Sequence, residues 1–410
     1  MPSSSLRTTS EGSSEKDDED DAALHNFTFR WVVDVENWNP IDEHEGREFQ
    51  FLLDLIAPED ERAQVLKYLH FADKKRALVS RLLTRAACTK ASKFPFKEVR
   101  IKRTKGKKPF FANVHERVDS VKDKGTGCGV KVYEKNEFSA GIPKAPNFNF
   151  NVSHEGKYVA LVSEPYAICG VDVAAPDQLR LGNRSVSAIE EIFGTFGNML
   201  HASEKEQILK QNGPSSQLSR FRQLWSLKEA WSKCMGTGLG ANFGQAAFSI
   251  SQSSMTSTNG QRGDDVIGET NTKNKATENN NHSVWTATIS AEGVDNENNK
   301  NWSFHLHPFP PLADVYDSPE DNTHWITVAR GPTNSMVDAN GEFWKTLKAK
   351  NIESKRPDVW RRNIWRRAPT FCVLEVKDLV PSELRYRYTC IVREDNCEKG
   401  IKALFQQNSE

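Results

Sequence analysis

Glu229 lies between Lys228 and Lys233 in a run that starts at Phe221, and Gly236, Gly238 and Gly240 follow at once. Wound as a helix, this run separates into two faces. Leu224, Leu227, Trp231 and Met235 recur at the three-and-four spacing of a buried stripe. Trp225, Lys228, Glu229, Ser232 and Lys233 fall opposite, which sets a carboxylate between two ammonium groups. The glycines end the helix and let main chain come close to a neighbour. A carboxylate held between cations beside such a turn can serve a metal, a phosphate and a proton transfer together. The same spacing is that of an exposed i,i+4 Glu–Lys pair contributing about 0.2–0.5 kcal/mol, and taken alone that is the commoner outcome.

A second set of residues stands upstream. Asn147, Asn149, Asn151, Ser153 and His154 precede Gly156, and Ala167 to Val173 then alternate like a half-buried strand. Cys169, Val171 and Val173 take one face of that strand; Ile168, Gly170 and Asp172 take the other. A carboxylate in so apolar a run needs a cation or several donors to compensate it. Mg2+ is one such compensator, since it binds one or two carboxylates together with phosphate oxygens and water. A strand-end Asp bonded to main chain fits the local pattern equally well. His154 by itself reads as a structural histidine.

Taken together, the two sets resemble the phosphopantetheinyl transferase family, in its Sfp-like, eukaryotic cytosolic branch. The pattern is N-x-S-H (Asn151 to His154), a G-V-D-V strand (Gly170 to Val173), then W-x-x-K-E-A-x-x-K-x-x-G-x-G (Trp225 to Gly238). The resemblance covers roughly residues 25–250 and implies transfer of the 4′-phosphopantetheine arm of coenzyme A to a carrier-protein serine, releasing 3′,5′-ADP. It implies that Asp172 and Glu229 bind Mg2+, with Mn2+ as the alternative, and that Glu229 is the candidate base for the serine hydroxyl, with a metal-bound water relaying the proton as the alternative. It places Lys233 and Lys228 with the coenzyme phosphates and His154 on a phosphate, in a loop that includes Asn151 and Ser153. Arg103, Lys107 and Lys108, in Arg-Thr-Lys-Gly-Lys-Lys-Pro, resemble a stretch that grips the nucleotide phosphate, and Arg62 corresponds to an earlier coenzyme arginine. Where the bacterial prototype carries a second acid two residues after the strand Asp, this chain has Ala174. Two protein carboxylates, rather than three, are therefore expected at the metal.

The implied fold is α/β (α+β), with two similar lobes related by a pseudo-twofold and coenzyme A in the cleft between them. No repeat is visible in the sequence. Arg103 and His154 would face the cleft from the first lobe, and Asp172, Glu229 and Lys233 from the second. The chain divides into an acidic tail (1–24) expected to be disordered, a first lobe (25–163), a second lobe (164–340) and an extension (341–410) without assigned role. Residues 251–281, rich in Ser, Thr, Asn, Gln and Gly, form a low-complexity insertion expected to be unstructured, with the same character extending toward residue 300. Expected strands include 27–35, 99–103, 158–162, 168–173, 247–250, 302–306 and 325–329. Helical periodicity covers 59–90, 186–196, 203–210 and 217–235.

Formal net charge is zero, 55 basic against 55 acidic residues, so the whole chain is no general polyanion binder. The basic run from Lys90 to Lys108 lacks aromatics interleaved at stacking spacing, which argues against a nucleic-acid surface. A second cluster, Arg361, Arg362, Arg366 and Arg367 around Trp365, is open between a docking extension, a localisation signal and a solvated helix. Seven cysteines without a C-x-x-C pair, no leader and no long apolar run point to a reduced, cytoplasmic protein with no membrane partner. The resemblance implies carrier domains of aminoadipate reductase, polyketide synthases and non-ribosomal peptide synthetases as partners, hence lysine and polyketide or peptide biosynthesis, and a monomer. The reading from a different class is a coenzyme A- or carrier-binding module without transfer activity; retention of Asp172, Glu229 and Lys233 argues against it.

Overall fold

The structure, a computed structural model, describes residues 20, 22–113, 147–177, 187–252, 284–291, 301–310, 323–366 and 369–407. The chain begins with helix α1 (residues 22–27), β1 (Arg30–Asp34), α2 (Arg47–Leu53), α3 (Glu59–Leu66) and α4 (Phe71–Ser92). A hairpin follows, β2 (Ile101–Arg103) and β3 (Pro109–Phe111), then β4 (Asn149–Glu155), β5 (Tyr158–Glu164) and β6 (Ile168–Ala174). Next come α5 (Ala188–Phe196), α6 (Ala202–Leu209) and α7 (Pro214–Met235), with β7 (Ala246–Gln252), β8 (Trp285–Ala291), β9 (Ser303–Phe309) and β10 (His324–Gly331). The last part holds α8 (Glu342–Thr346), α9 (Ile352–Lys355), α10 (Pro357–Trp365), β11 (Cys372–Leu374) and α11 (Arg385–Gln407).

Two sheets form the frame, a mixed one ordered β11-β1-β5-β4 and an antiparallel one ordered β6-β10-β9-β8-β7. Strand alternation decides the layers. On β1, Val33 packs with Leu78, Leu82 and Leu83 of α4, while Val32 turns the other way. Val32, Ala160 and Val162 of the first sheet meet Val171, Val173, Ile326 and Val328 of the second. Ile168, Phe304 and Leu306 face Leu224, Leu227, Ala230 and Cys234 of α7. The layers therefore run α4, sheet, sheet, α7. Each apolar face is buried against a neighbour, which is the driving term for this arrangement.

The two sheets meet edge to edge at β4 and β6. Alternate residues of β4 point to the open edge of β6, where Asn149 and Asn151 accept from the main-chain N–H of Cys169 and Val171 (3.1 and 3.0 Å). These amides do for an edge strand what a paired strand would otherwise do. Gly170 explains how α7 lies so low on β6: a Cβ there would stand 2.1 Å from the carbonyl oxygen of Ala230. Deeper in the joint, Glu164 is fully buried among Arg30, Arg330 and Arg366. Burial alone would raise its pKa, but the three guanidinium groups hold the carboxyl below its ordinary value.

Several expectations change. The 59–90 periodicity is broken into α3 and α4 by Lys67 to His70. At the inner end of the acidic tail, Asp20 is buried, accepts from the Tyr166 hydroxyl (2.6 Å) and pairs with Arg356, and 22–24 begin α1; the tail before Asp20 lies outside the described residues. Of the 251–281 insertion, Ser251 and Gln252 complete β7 and 253–281 lie outside the described residues, but β8 stands inside the wider stretch expected to be unstructured. The extension returns to the first sheet: β11 pairs in parallel with β1, and Tyr388 of α11 donates to Glu48 of α2 (2.6 Å). Arg366 belongs to the Glu164 cluster rather than to a solvated face, and Arg367 lies outside the described residues.

Candidate functional site

A cleft of about 480 Å3 opens where the β2–β3 hairpin, β4 and the end of α7 converge. Arg103, Lys105, Gly106, Lys107, Lys108 and Pro109 line it from the hairpin, Asn151 and Val152 from β4. Glu229, Ser232, Lys233, Thr237 and Gly238 line it from α7 and the turn beyond. The two glycine-bearing motifs meet here in main-chain contact: a Cβ on Gly106 would stand 1.7 Å from the carbonyl oxygen of Gly236. Gly236 itself takes the left-handed conformation (φ +73°) that ends α7, which only glycine adopts freely.

Asp172 is 5 % exposed and faces α7 from β6. Its Oδ1 accepts from Lys233 Nζ (2.5 Å) and from the Ser153 hydroxyl (3.3 Å), and Lys233 Nζ also donates to Ser153 Oγ (2.9 Å). Oδ2 is buried with no hydrogen-bond partner among the described residues. A buried carboxylate oxygen left bare is costly unless something positive meets it. Glu229 is one turn before Lys233 on the same face of α7. Burial and the neighbouring Asp172 raise its pKa, partly offset by Lys233. Two neighbouring carboxylates, one with an orphaned oxygen, make a donor set that fits a divalent cation. Among the described residues no group of three His, Cys, Asp or Glu side chains gathers that could hold a metal, so this set is a pair.

His154 lies beside these groups, at the outer end of β4. Its pKa is pushed down to about 4 by burial and by Arg76, Lys233 and Arg81, so the imidazole is neutral at physiological pH. Arg76 and Arg81, on α4, were not singled out in the sequence, yet both act on His154, and Arg81 also on Arg103. Their signal was available: Arg81 interrupts the apolar run Leu78 to Leu83 on a helix whose other face is buried. Neither arginine lines the cleft, whereas Lys105, also not singled out as a site residue, does.

Three residues placed on the coenzyme by resemblance point elsewhere. The Lys228 side chain is fully buried, paired with Glu204 (2.8 Å) and donating to the carbonyls of Phe243 and Ala246 (2.7 and 2.6 Å). A carboxylate flanked by two ammonium groups is thus one flanked by Lys233 alone. Lys108 presents main chain to the cleft, but its ammonium is buried between the carbonyls of Cys169 and Lys233 (2.6 and 3.1 Å). Arg62 donates to the carbonyls of Ile56 and Ala57 (2.9 and 3.1 Å) and is outside the cleft lining. In each case nearby carbonyls capture the cation. Lys228→Met would leave Glu204 buried without its partner and should cost about 3–5 kcal/mol of stability, with the KM for coenzyme A unchanged in folded protein. Urea unfolding and steady-state kinetics read the two effects separately; a raised KM at unchanged stability would return Lys228 to the coenzyme.

No helix among the described residues is long and apolar enough to cross a membrane. Comparison with known proteins bears directly on the cleft. Residues 36–123, which include the hairpin, match the family described as 4′-phosphopantetheinyl transferase, N-terminal. Residues 168–284, which carry Asp172, Glu229 and Lys233, match the 4′-phosphopantetheinyl transferase superfamily. A phosphopantetheinyl transferase of Thraustochytrium sp. is 30% identical over 228 residues, 55% of this chain and 66% of the relative. The L-aminoadipate-semialdehyde dehydrogenase-phosphopantetheinyl transferase of Xenopus laevis is 26% identical over 328 residues, 78% of this chain and 92% of the relative. Its namesake from Mus musculus is 28% identical over 226 residues, 55% of this chain and 62% of the relative. The chain thus spans a little under two thirds of the length of the first and third relatives and nearly all of the second. With the hairpin and α7 walls of the cleft inside the matched regions, the chain belongs to the 4′-phosphopantetheinyl transferase family, whose activity is phosphopantetheinyl transfer.

Proposed function

We propose that this protein transfers the 4′-phosphopantetheine arm of coenzyme A to a serine of a carrier domain and releases 3′,5′-ADP. The reading rests above all on the bare Oδ2 of Asp172, buried beside Glu229 and Lys233 at the inner end of a cationic cleft. The serine oxygen bonds to the phosphorus bearing the pantetheine arm as the bond from that phosphorus to the 3′,5′-ADP oxygen breaks. Such a reaction is governed by positioning and charge rather than by covalent chemistry. Asp172 and Glu229 would hold the divalent cation, Mg2+ or Mn2+, which neutralises the pyrophosphate when bound.

Glu229 takes the serine proton. Lys233 is drawn to Asp172 in the free protein and is placed to meet the charge that develops on the departing phosphate. Arg103, Lys105 and Lys107 receive the nucleotide phosphates; the resemblance adds neutral His154, which stands outside the cleft lining, as an N–H donor to one of them. Asn151 lines the β4 wall of the cleft, and Ser153 holds Asp172 and Lys233. The two sheets with their covering helices are read as two lobes related by a pseudo-twofold, with coenzyme A between them. By the names of the Xenopus and mouse relatives, the carrier domain of an aminoadipate-semialdehyde dehydrogenase is the first acceptor to try, followed by polyketide and non-ribosomal peptide carriers. A monomeric, cytoplasmic enzyme completes the reading.

Intact mass spectrometry of an apo carrier domain tests it, after incubation with the protein, coenzyme A and Mg2+ and beside a chelated control. A gain of one phosphopantetheinyl group that disappears with chelator is the expected result. No gain on several carriers, with coenzyme A still bound, would leave a binding module instead.

A further inference from the structure

We infer that Lys108 is a positioning residue for transfer, acting through the main chain of Lys233 and Cys169; the inference rests on the activity proposed above. β6 is an edge strand, and its open edge is satisfied by side chains rather than by another strand. Asn149 and Asn151 cover two of its N–H groups, and Lys108 Nζ covers the carbonyl of Cys169, three residues before Asp172.

The other contact of Lys108 follows from how α7 ends. One turn beyond Lys233, the N–H groups of Gly236 and Thr237 both turn to the carbonyl of Ser232 (2.8 and 3.2 Å). The carbonyl of Lys233 is then met by Lys108 Nζ at 3.1 Å. A buried ammonium at the negative end of a helix is favourably placed. The base of Lys108 is itself fixed, since its N–H donates to Thr104 Oγ1 (3.2 Å) and the adjacent Gly106 rests on Gly236. One cation therefore ties the hairpin that carries Arg103 and Lys107, the strand that carries Asp172 and the helix turn that carries Lys233. With Lys233 Nζ 2.5 Å from Asp172, a main-chain shift of about 1 Å weakens that contact, a displacement of the size that costs about a hundredfold in rate.

The experiment uses Lys108→Met in the full chain, with coenzyme A and an apo carrier domain that the parent protein modifies. A parent that modifies no carrier sinks the activity itself, before Lys108 is touched. The variant should lose about 30- to 100-fold in kcat at temperatures where it is fully folded, with the KM for coenzyme A within about threefold. Calorimetric binding of 3′,5′-ADP, and its salt dependence, should match the parent. In a Lys233→Met background the same substitution should cost less than about threefold, because its route to the reaction is already gone.

A tenfold or greater loss of 3′,5′-ADP affinity with a shallower salt dependence would make Lys108 a phosphate contact and overturn the proposal. Unchanged kcat with lowered Tm would overturn it too, leaving a lysine of architecture only. Should Lys108→Met not fold, Lys108→Gln, whose amide can still reach one carbonyl, is read by the same criteria; failure of both to fold would also assign Lys108 to architecture.

Discussion

Asp172→Asn should lower carrier modification by about a thousandfold or more while leaving the fold intact, and Glu229→Gln should do nearly the same. The two oxygens of Asp172 have separate duties. One holds Lys233 and Ser153; the other is bare and buried. An amide in this place keeps the volume but removes the charge that draws a cation and Lys233 together. Stability is spared because Lys233 is not trapped: its side chain is 31 % exposed and can turn to water once its partner is neutral. Glu229→Gln likewise relieves two neighbouring carboxylates of their mutual repulsion. Single-turnover intact mass spectrometry beside thermal melts decides the matter. More than a tenth of parental rate in either variant would remove that carboxylate from the mechanism.

Gly170→Ala should be as damaging, although the residue touches no substrate. Its Cβ would stand 2.1 Å from the carbonyl oxygen of Ala230 and 2.5 Å from the N of Cys234, both main-chain atoms that cannot rotate away. α7 must lift off β6, at a cost of about 3 kcal/mol or more. That lift also separates Asp172 from Glu229 and Lys233, so transfer should be lost even in the fraction that stays folded. Gly194→Ala is the control: nothing lies within 4 Å of its Cβ, and a helical glycine replaced by alanine should gain about 0.5–1 kcal/mol. Urea unfolding of both variants checks the contrast. A Gly170→Ala protein as stable and active as the parent would mean that the close approach of helix and strand is not required.

What was legible in the sequence was what local pattern determines. The alternation of Ile168 to Val173 assigned each side chain to its observed face; of the α7 stripe, Leu224 and Leu227 are buried and Trp231 and Met235 only partly so, while Ala230 and Cys234, outside that stripe, complete the buried side. Asp172, Glu229 and Lys233 were brought together because each lies on a regular element whose faces can be counted. The lysines were harder. Whether Lys108 or Lys228 reaches solvent depends on which carbonyls converge on it, and those come from β6, α7 and residues 243–246, far apart in sequence. The break between α3 and α4 carries no Gly or Pro, so periodicity ran through it. β8 was hidden by its polar surroundings, and three-residue β11 is too short to show alternation.

The parallel pairing of β11 with β1 has a consequence for how the protein is made. On the ribosome, β1 emerges more than three hundred residues before Cys372 to Leu374. Until then the first sheet is a synthesis intermediate with one flank of β1 uncovered, a ready template for a neighbouring nascent chain. The amino-terminal half cannot mature by the time its own codons have been read. Its completion waits for a strand read more than three hundred codons later, and a stop before Cys372 would leave that flank of β1 uncovered.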